Sequence, residues 1–181
     1  MALCFGFMGD NRELVQKWNE ALNSMRNDWT LSALADKYVK NFQKNNSPYE
    51  YIYGIDERSK RKKKENEAIK FERFKDAPTI KVAITGDLPP IDYVAEDGMP
   101  AGYNAAVLAE IGRRLKVNIV TVNVSTGART AALVSGRVDV VFWYEVDRSL
   151  ESQLDAPENI ILSSPYYEWN TFMHLRNADD E

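Results

Sequence analysis

Between residues 80 and 142 the chain alternates strand-like and helix-like runs, and few folds accommodate that order. Residues 80–84 read as a strand. Residues 104–115 place Val107, Leu108, Ile111 and Leu115 on one helical face. A second strand is expected over 119–124, a helix over 126–134 closed by Ser135 and Gly136, and a third strand over 138–142. Strand, helix, strand, helix, strand predicts a mostly parallel sheet with helices on both faces, a three-layer α/β/α arrangement. Shorter strands are expected over 160–162 and 172–175.

The N-terminal 40 residues carry a different pattern. Residues 2–8 are apolar and short, and read as a buried strand. Asp10 and Glu13 have the spacing of a capping box. Behind them Leu14, Val15, Trp18, Ala21, Leu22 and Met25 recur at helical spacing. Thr30 is the expected cap of a second helix that turns Leu31, Leu34, Ala35 and Tyr38 inward. Residues 41–78 read as a charged connection. Asn45, Asn46, Ser47 and Pro48 signal a turn, Tyr49, Tyr51, Ile52 and Tyr53 are possible anchors, and the basic run 58–64 is balanced by Glu65, Glu67 and Glu72. The expected organisation is therefore 1–40, 41–78 and 79–181.

Composition excludes several classes. A net charge of −4 argues against general nucleic-acid affinity, which needs a basic surface. With one cysteine, Cys4, and one histidine, His174, no internal disulfide and no Cys/His metal set can form. Cys4 lies between Leu3 and Phe5 and reads as a buried thiol; His174 reads as structural. No run of 18 apolar residues is present, so no membrane span is expected. No export signal is read at the N-terminus, which leaves a cytosolic protein or part of a longer exported one. No cofactor-binding glycine loop and no nucleophile elbow are found.

In an open α/β sheet, ligands bind beyond the carboxyl ends of the strands. That rule selects three loops. The first holds Thr85, Gly86, Asp87 and Leu88. Asp87 there either accepts from an ammonium group or caps a turn. The second holds Ser125, Thr126, Gly127 and Arg129 at a helix start, which serves either an anion or ordinary capping. The third holds Trp143, Tyr144, Glu145 and Arg148. Two aromatic faces and a guanidinium there suit a small carboxylate. Alternatively, Trp143 and Tyr144 pack beneath a loop while Arg148 pairs with Asp147 or Glu151. Asp87, Asp92 and Glu145 supply carboxylates, but no spacing makes them a catalytic pair.

The run Ile80-Lys81-Val82-Ala83-Ile84-Thr85-Gly86-Asp87-Leu88-Pro89-Pro90-Ile91-Asp92-Tyr93, with Asp97-Gly98 and Ala101-Gly102-Tyr103-Asn104, resembles the start of family 3 extracellular solute-binding proteins. Leu133, Gly136 and Asp139 fit that family's L-x-x-G-x-x-D segment, and Ser163, Pro165, Tyr166 and Tyr167 its S-x-P-Y-Y segment. Residues 3–39 resemble the family's closing strand and helices, with Trp29 where the family usually has glycine. The order is inverted. A permuted single lobe would explain it, as would a stretch spanning the end of one copy and the start of the next in a tandem protein.

The resemblance implies the type II periplasmic binding fold, with the first lobe present and the second lacking. It implies a non-enzymatic receptor for a small polar solute, an amino acid, serving an ABC-type importer outside the cytoplasm. The implied partners are the solute, a second lobe or partner chain, and an ABC permease. The ligand-binding candidates are Thr85, Asp87, Leu88, Asp92, Arg129, Trp143, Tyr144, Glu145 and Arg148. Leu88 stands where many members have a stacking aromatic, Ile91 where they have the Phe of a P-F pair, and Asn104 where Asp is common. Arg148 lies nearer Asp139 than the family's carboxylate-binding arginine lies to its counterpart. Other readings are a degenerate lobe that binds proteins through exposed Trp143 and Tyr144, and a dehydratase-like enzyme.

Overall fold

The apolar N-terminal run forms a strand, β1 (Ala2–Met8), whose residues 2–7 are all buried. The computed structural model describes residues 1–40, 68–95, 97–147, 152, 153 and 157–168. Expectations for residues 41–67, Arg148, Glu151, His174 and the strand at 172–175 lie outside the described residues. After β1 come α1 (Arg12–Asn27), α2 (Thr30–Ala35) and a π-helical turn (Asp36–Lys40). Then follow β2 (Thr79–Ile84), β3 (Asp87–Leu88), β4 (Asp92–Val94), β5 (Pro100–Ala101) and α3 (Gly102–Leu115). The remainder is β6 (Asn118–Asn123), a 3-10 turn (Thr126–Ala128), α4 (Arg129–Val134), β7 (Val140–Asp147), β8 (Ser152–Gln153), β9 (Ile160–Leu162) and β10 (Tyr167–Glu168).

The main sheet has the order β10-β1-β7-β2-β6, with β8 against β7 and β9 against β1. β2 runs parallel to both β6 and β7, as a strand–helix–strand chain requires. β1 runs antiparallel to β7, β9 and β10, so the sheet is mixed: parallel on the β2 side and antiparallel around β1. β1 is followed by α1 and α2, yet it lies antiparallel to β7, so it does not form a βαβ unit with the parallel strands. No described helix is long and apolar enough to cross a membrane.

Helices cover both faces. On one, Val15, Trp18, Leu22 and Met25 of α1 and Val107, Leu108 and Ile111 of α3 pack with Phe5, Phe7, Val82, Ile84 and Phe142. On the other, Ala132 and Leu133 of α4 pack with Ala83, Val141 and Tyr144. Cys4 is buried, 3% exposed.

Two capping expectations need correction. A turn at Gly9 and Asp10 moves the start of α1 on, so Asn11 is the N-cap and no side chain caps it. Glu13 instead pairs with Lys17 at 3.0 Å. Thr30 lies inside α2. The capping carboxylate is Asp28, whose Oδ1 accepts from the Thr30 N–H at 3.1 Å and from its hydroxyl at 2.6 Å.

Two loop expectations also change. Asp87 and Leu88 form a short strand paired with Tyr93 and Asp92, which opens a three-stranded ribbon, β3-β4-β5. Pro89 and Pro90 are confined to its turn, where no ladder donor is needed. The third strand was expected to end at Phe142, yet β7 runs to Asp147 because β1 pairs with it from Ala2 to Gly6. Trp143, Tyr144 and Glu145 are therefore strand residues and not loop residues.

Candidate functional site

β2 and β6 end side by side, with Ile84 opposite Asn123. The Val124 N–H donates to the Ile84 carbonyl at 2.9 Å, and the two loops then diverge. One carries Thr85, Gly86 and Asp87, the other Ser125, Thr126 and Gly127. β7 passes beside them at Trp143.

A bulge places Trp143 there. Cys4 pairs with Tyr144 but Gly6 pairs with Val141, so β7 holds one residue more than β1 between those pairings. Alternation is broken as a result. Val140, Phe142 and Trp143 all join the core on the α1 and α3 side, while Val141 and Tyr144 join the α4 side. Trp143 is 8% exposed, and its Nε1–H donates to Thr85 Oγ1 at 3.3 Å.

Arg129, at the start of α4, is 6% exposed. Its guanidinium lies 4.0 Å from the Trp143 ring centroid and 5.0 Å from that of Tyr144. Nε donates to the Thr126 carbonyl at 2.9 Å and Nη1 to the Trp143 carbonyl. The guanidinium thus ties the second loop to β7 and lays a cation over an indole.

Two carboxylates occupy the first loop and behave in opposite ways. Asp87 is exposed, and the Thr126 hydroxyl donates to its Oδ2 at 2.9 Å. Hydrogen bonds from Thr85 and Thr126, with Arg129 nearby, hold its carboxyl below the usual range. Asp92 is 1% exposed. Its Oδ2 accepts from the Thr85 N–H at 3.0 Å and the Thr85 hydroxyl at 3.1 Å, and its Oδ1 from the Gly86 N–H at 3.1 Å. Burial pushes its carboxyl up, against the pull of those hydrogen bonds.

Thr85, Asp87, Asp92, Arg129 and Trp143 therefore converge, joined by Thr126. The others do not. Leu88 packs against the apolar core. Tyr144 is 1% exposed, and its hydroxyl lies 2.8 Å from Thr130 Oγ1, so it offers no open stacking face. Glu145 pairs across the ladder with Leu3. The Tyr144 partner Thr130 was not foreseen from sequence; it lies one helical position past Arg129, with no motif to mark it. A cavity of about 530 Å³ opens elsewhere, among Arg26, Leu31, Val39, Tyr103 and Tyr167, and none of the candidate residues lines it.

The cluster offers an ionised acceptor, a half-buried hydroxyl and a cation-capped indole on one rim. That suits holding a small polar molecule by hydrogen bonds.

Residues 80–180, more than half of the 181-residue chain, match the bacterial extracellular solute-binding proteins, family 3. The chain belongs to that family. The family is one of solute-binding proteins, and the mixed sheet with its helices is part of a periplasmic-binding-protein-like α/β lobe. Among solved structures the chain is similar to the L-cystine solute receptor of Neisseria gonorrhoeae in the unliganded open conformation, at 29% identity over 36% of this chain, with a TM-score of 0.34. It spans 28% of that receptor's length. No curated protein matches.

Proposed function

We propose that this chain is the ligand-recognition lobe of an amino-acid receptor serving an ABC-type importer outside the cytoplasm. The observation that carries the reading is the convergence of Thr85, Asp87, Thr126, Arg129 and Trp143 at the carboxyl ends of β2 and β6. Residues 1–40 are the closing element of the lobe, 79–181 its opening part, and 41–78 the connection between them. A second lobe or partner chain supplies the opposing contacts by hinge closure.

Asp87 is the contact for the ammonium group of the solute, because it is ionised and exposed. Trp143 and Arg129 form the wall beside it. Asp92 is directed at the Thr85–Gly86 turn and not at solute, Leu88 and Glu145 stand outside the cluster, and Tyr144 lies against Arg129 without an open face. Burial of Trp143 and Tyr144 disfavours the reading in which they are exposed anchors for a protein partner.

A thermal-shift screen of the protein against amino acids, polyamines and small carboxylates tests this. A ligand at 100 times its dissociation constant stabilises the fold by about 2.7 kcal/mol. A selective, saturable shift that Asp87→Asn abolishes, without lowering the unliganded melting temperature, supports the reading. Cooperative melting with no shift from any compound counts against recognition by this lobe alone.

A further inference from the structure

We propose that Asp92 is the positioning residue of this site: its carboxylate holds the Thr85–Gly86 turn against Trp143, so that acidification releases the turn and weakens solute binding. The inference rests on the site being the solute half-site described above.

The geometry leaves Asp92 little else to do. It is 1% exposed, and both its oxygens are occupied by the Thr85 and Gly86 donors. Converging donors suit an ionised carboxylate, which has only acceptors to offer. Protonation removes the charge that strengthens the Thr85 and Gly86 N–H bonds, so the hold on the turn weakens. The effect does not stop at Asp92. Thr85 Oγ1 also receives the Trp143 Nε1–H, and Thr85 hydrogen-bonds Asp87. Thr85, which holds Asp92 by two bonds, also lowers the pKa of Asp87 and so stands between the two carboxylates. The proposed wall residue and the proposed ammonium contact are both reached through Thr85.

The surroundings of Asp92 set the direction. Desolvation and the neighbouring Asp87 charge of β3 raise its pKa, while the hydrogen bonds from Thr85 and Gly86 lower it. A turn that lets go while Asp92 stays buried loses the lowering bonds, so Asp92 holds the proton more tightly in the released form and acid favours release. Tyr166, just before β10, also couples to it electrostatically. β7 brings the uncharged Trp143, and α3 meets the following residues through the backbone of Asn104, whose N–H donates to the Ile91 carbonyl at 2.8 Å. Arg129 acts on Asp87, and so opposes the rise only indirectly.

The test reads the turn without needing a ligand. Amide hydrogen exchange at Thr85 and Gly86 is followed in the whole chain from neutral to acidic pH, normalised to intrinsic rates and to Val82 and Ala83 in β2. The turn amides of the wild type are expected to lose protection about tenfold on acidification while β2 keeps its own, since a charged hydrogen bond lost is worth that much or more. Asp92→Asn is expected to start unprotected at neutral pH and to show no such step. Protection that is flat with pH in the wild type overturns the proposal, and that measurement stands even if the variant does not fold. So does equal protection in wild type and variant.

The solute arm uses the panel of twenty L-amino acids as probes. A shift in melting temperature that fades over the same pH interval as the amide protection completes the case. A shift that persists unchanged after the turn has opened overturns the link to binding. If the amides step as expected while no amino acid shifts the wild type at any pH, the solute reading fails and the link to binding falls with it, while the hold on the turn is confirmed separately.

Discussion

At Trp29 the chain places a large aromatic where its backbone conformation favours glycine. φ is 67° and the side chain is 76% exposed, so strain and apolar exposure fall on one residue. Trp29 follows the C-cap of α1, the position at which a left-handed residue ends a helix. Its N–H donates to the Arg26 carbonyl at 3.3 Å, and its own carbonyl accepts from Ala33 at 3.0 Å. The backbone has work at both ends of this turn while the indole has little packing. Trp29→Gly is therefore expected to stabilise the protein by about 0.5–1 kcal/mol, the left-handed penalty less the added freedom of the unfolded chain. Urea melts of Trp29→Gly and Trp29→Ala decide it. Alanine keeps the left-handed penalty, so equal gains from the two would show that exposure of the indole, and not strain, is what matters.

At the scale of elements, the pairing of β1 with β7 governs where the site residues stand. Gly6 is the point of closest approach. A Cβ there would overlap the Tyr144 ring, which lies across β1 with its hydroxyl beside Thr130. Gly6→Ala forces either the ring or the strand to move, at a cost of about 1–3 kcal/mol. The same shift disturbs the bulge that aims Trp143 at Thr85. Chemical denaturation should show the loss, and combining Gly6→Ala with Tyr144→Leu should recover part of it. A double mutant that loses the sum of both single effects would rule out the overlap as the cause. This ladder also explains what the sequence could and could not show. The apolar strand at residues 2–8, the face of α1 and the parallel strands 80–84 and 119–124 were legible because each has its own periodicity. Thr85, Asp87 and Arg129 were legible because they follow strand ends. The extension of β7 was not legible, because it depends on a partner more than a hundred residues away. A bulge leaves no periodic trace, so Trp143 and Tyr144 read as a loop pair when they belong to opposite faces of one strand. The cap of α1 was misread for a smaller reason, a turn at Gly9 and Asp10 that delays the helix.

The whole molecule joins two stretches of chain that neither periodicity nor proximity in sequence connects. β1 sits inside the sheet, between β7 on one side and β9 and β10 on the other. α1 adds Trp18, Leu22 and Met25 to the core. Arg114 of α3 reaches across as well, donating to Asp28 Oδ2 at 2.6 Å, to Thr30 Oγ1 at 2.9 Å and to Ser24 Oγ at 2.7 Å. Removing residues 1–40 would expose the edges of β7, β9 and β10 and the apolar faces of β2, β7 and α3 together. Unpaired edges and open apolar faces favour aggregation over folding. The segment 41–181 alone is therefore expected to show no cooperative thermal transition. Adding a peptide of residues 1–40 should restore one, because β1 needs only its neighbours' ladders and not a covalent link to reach its place. Circular dichroism melts of the segment, of the peptide and of their mixture make the comparison. If the segment alone melted as sharply and as high as the whole chain, residues 1–40 would be an appendage, and the lobe would have to be redrawn around β2, β6 and β7.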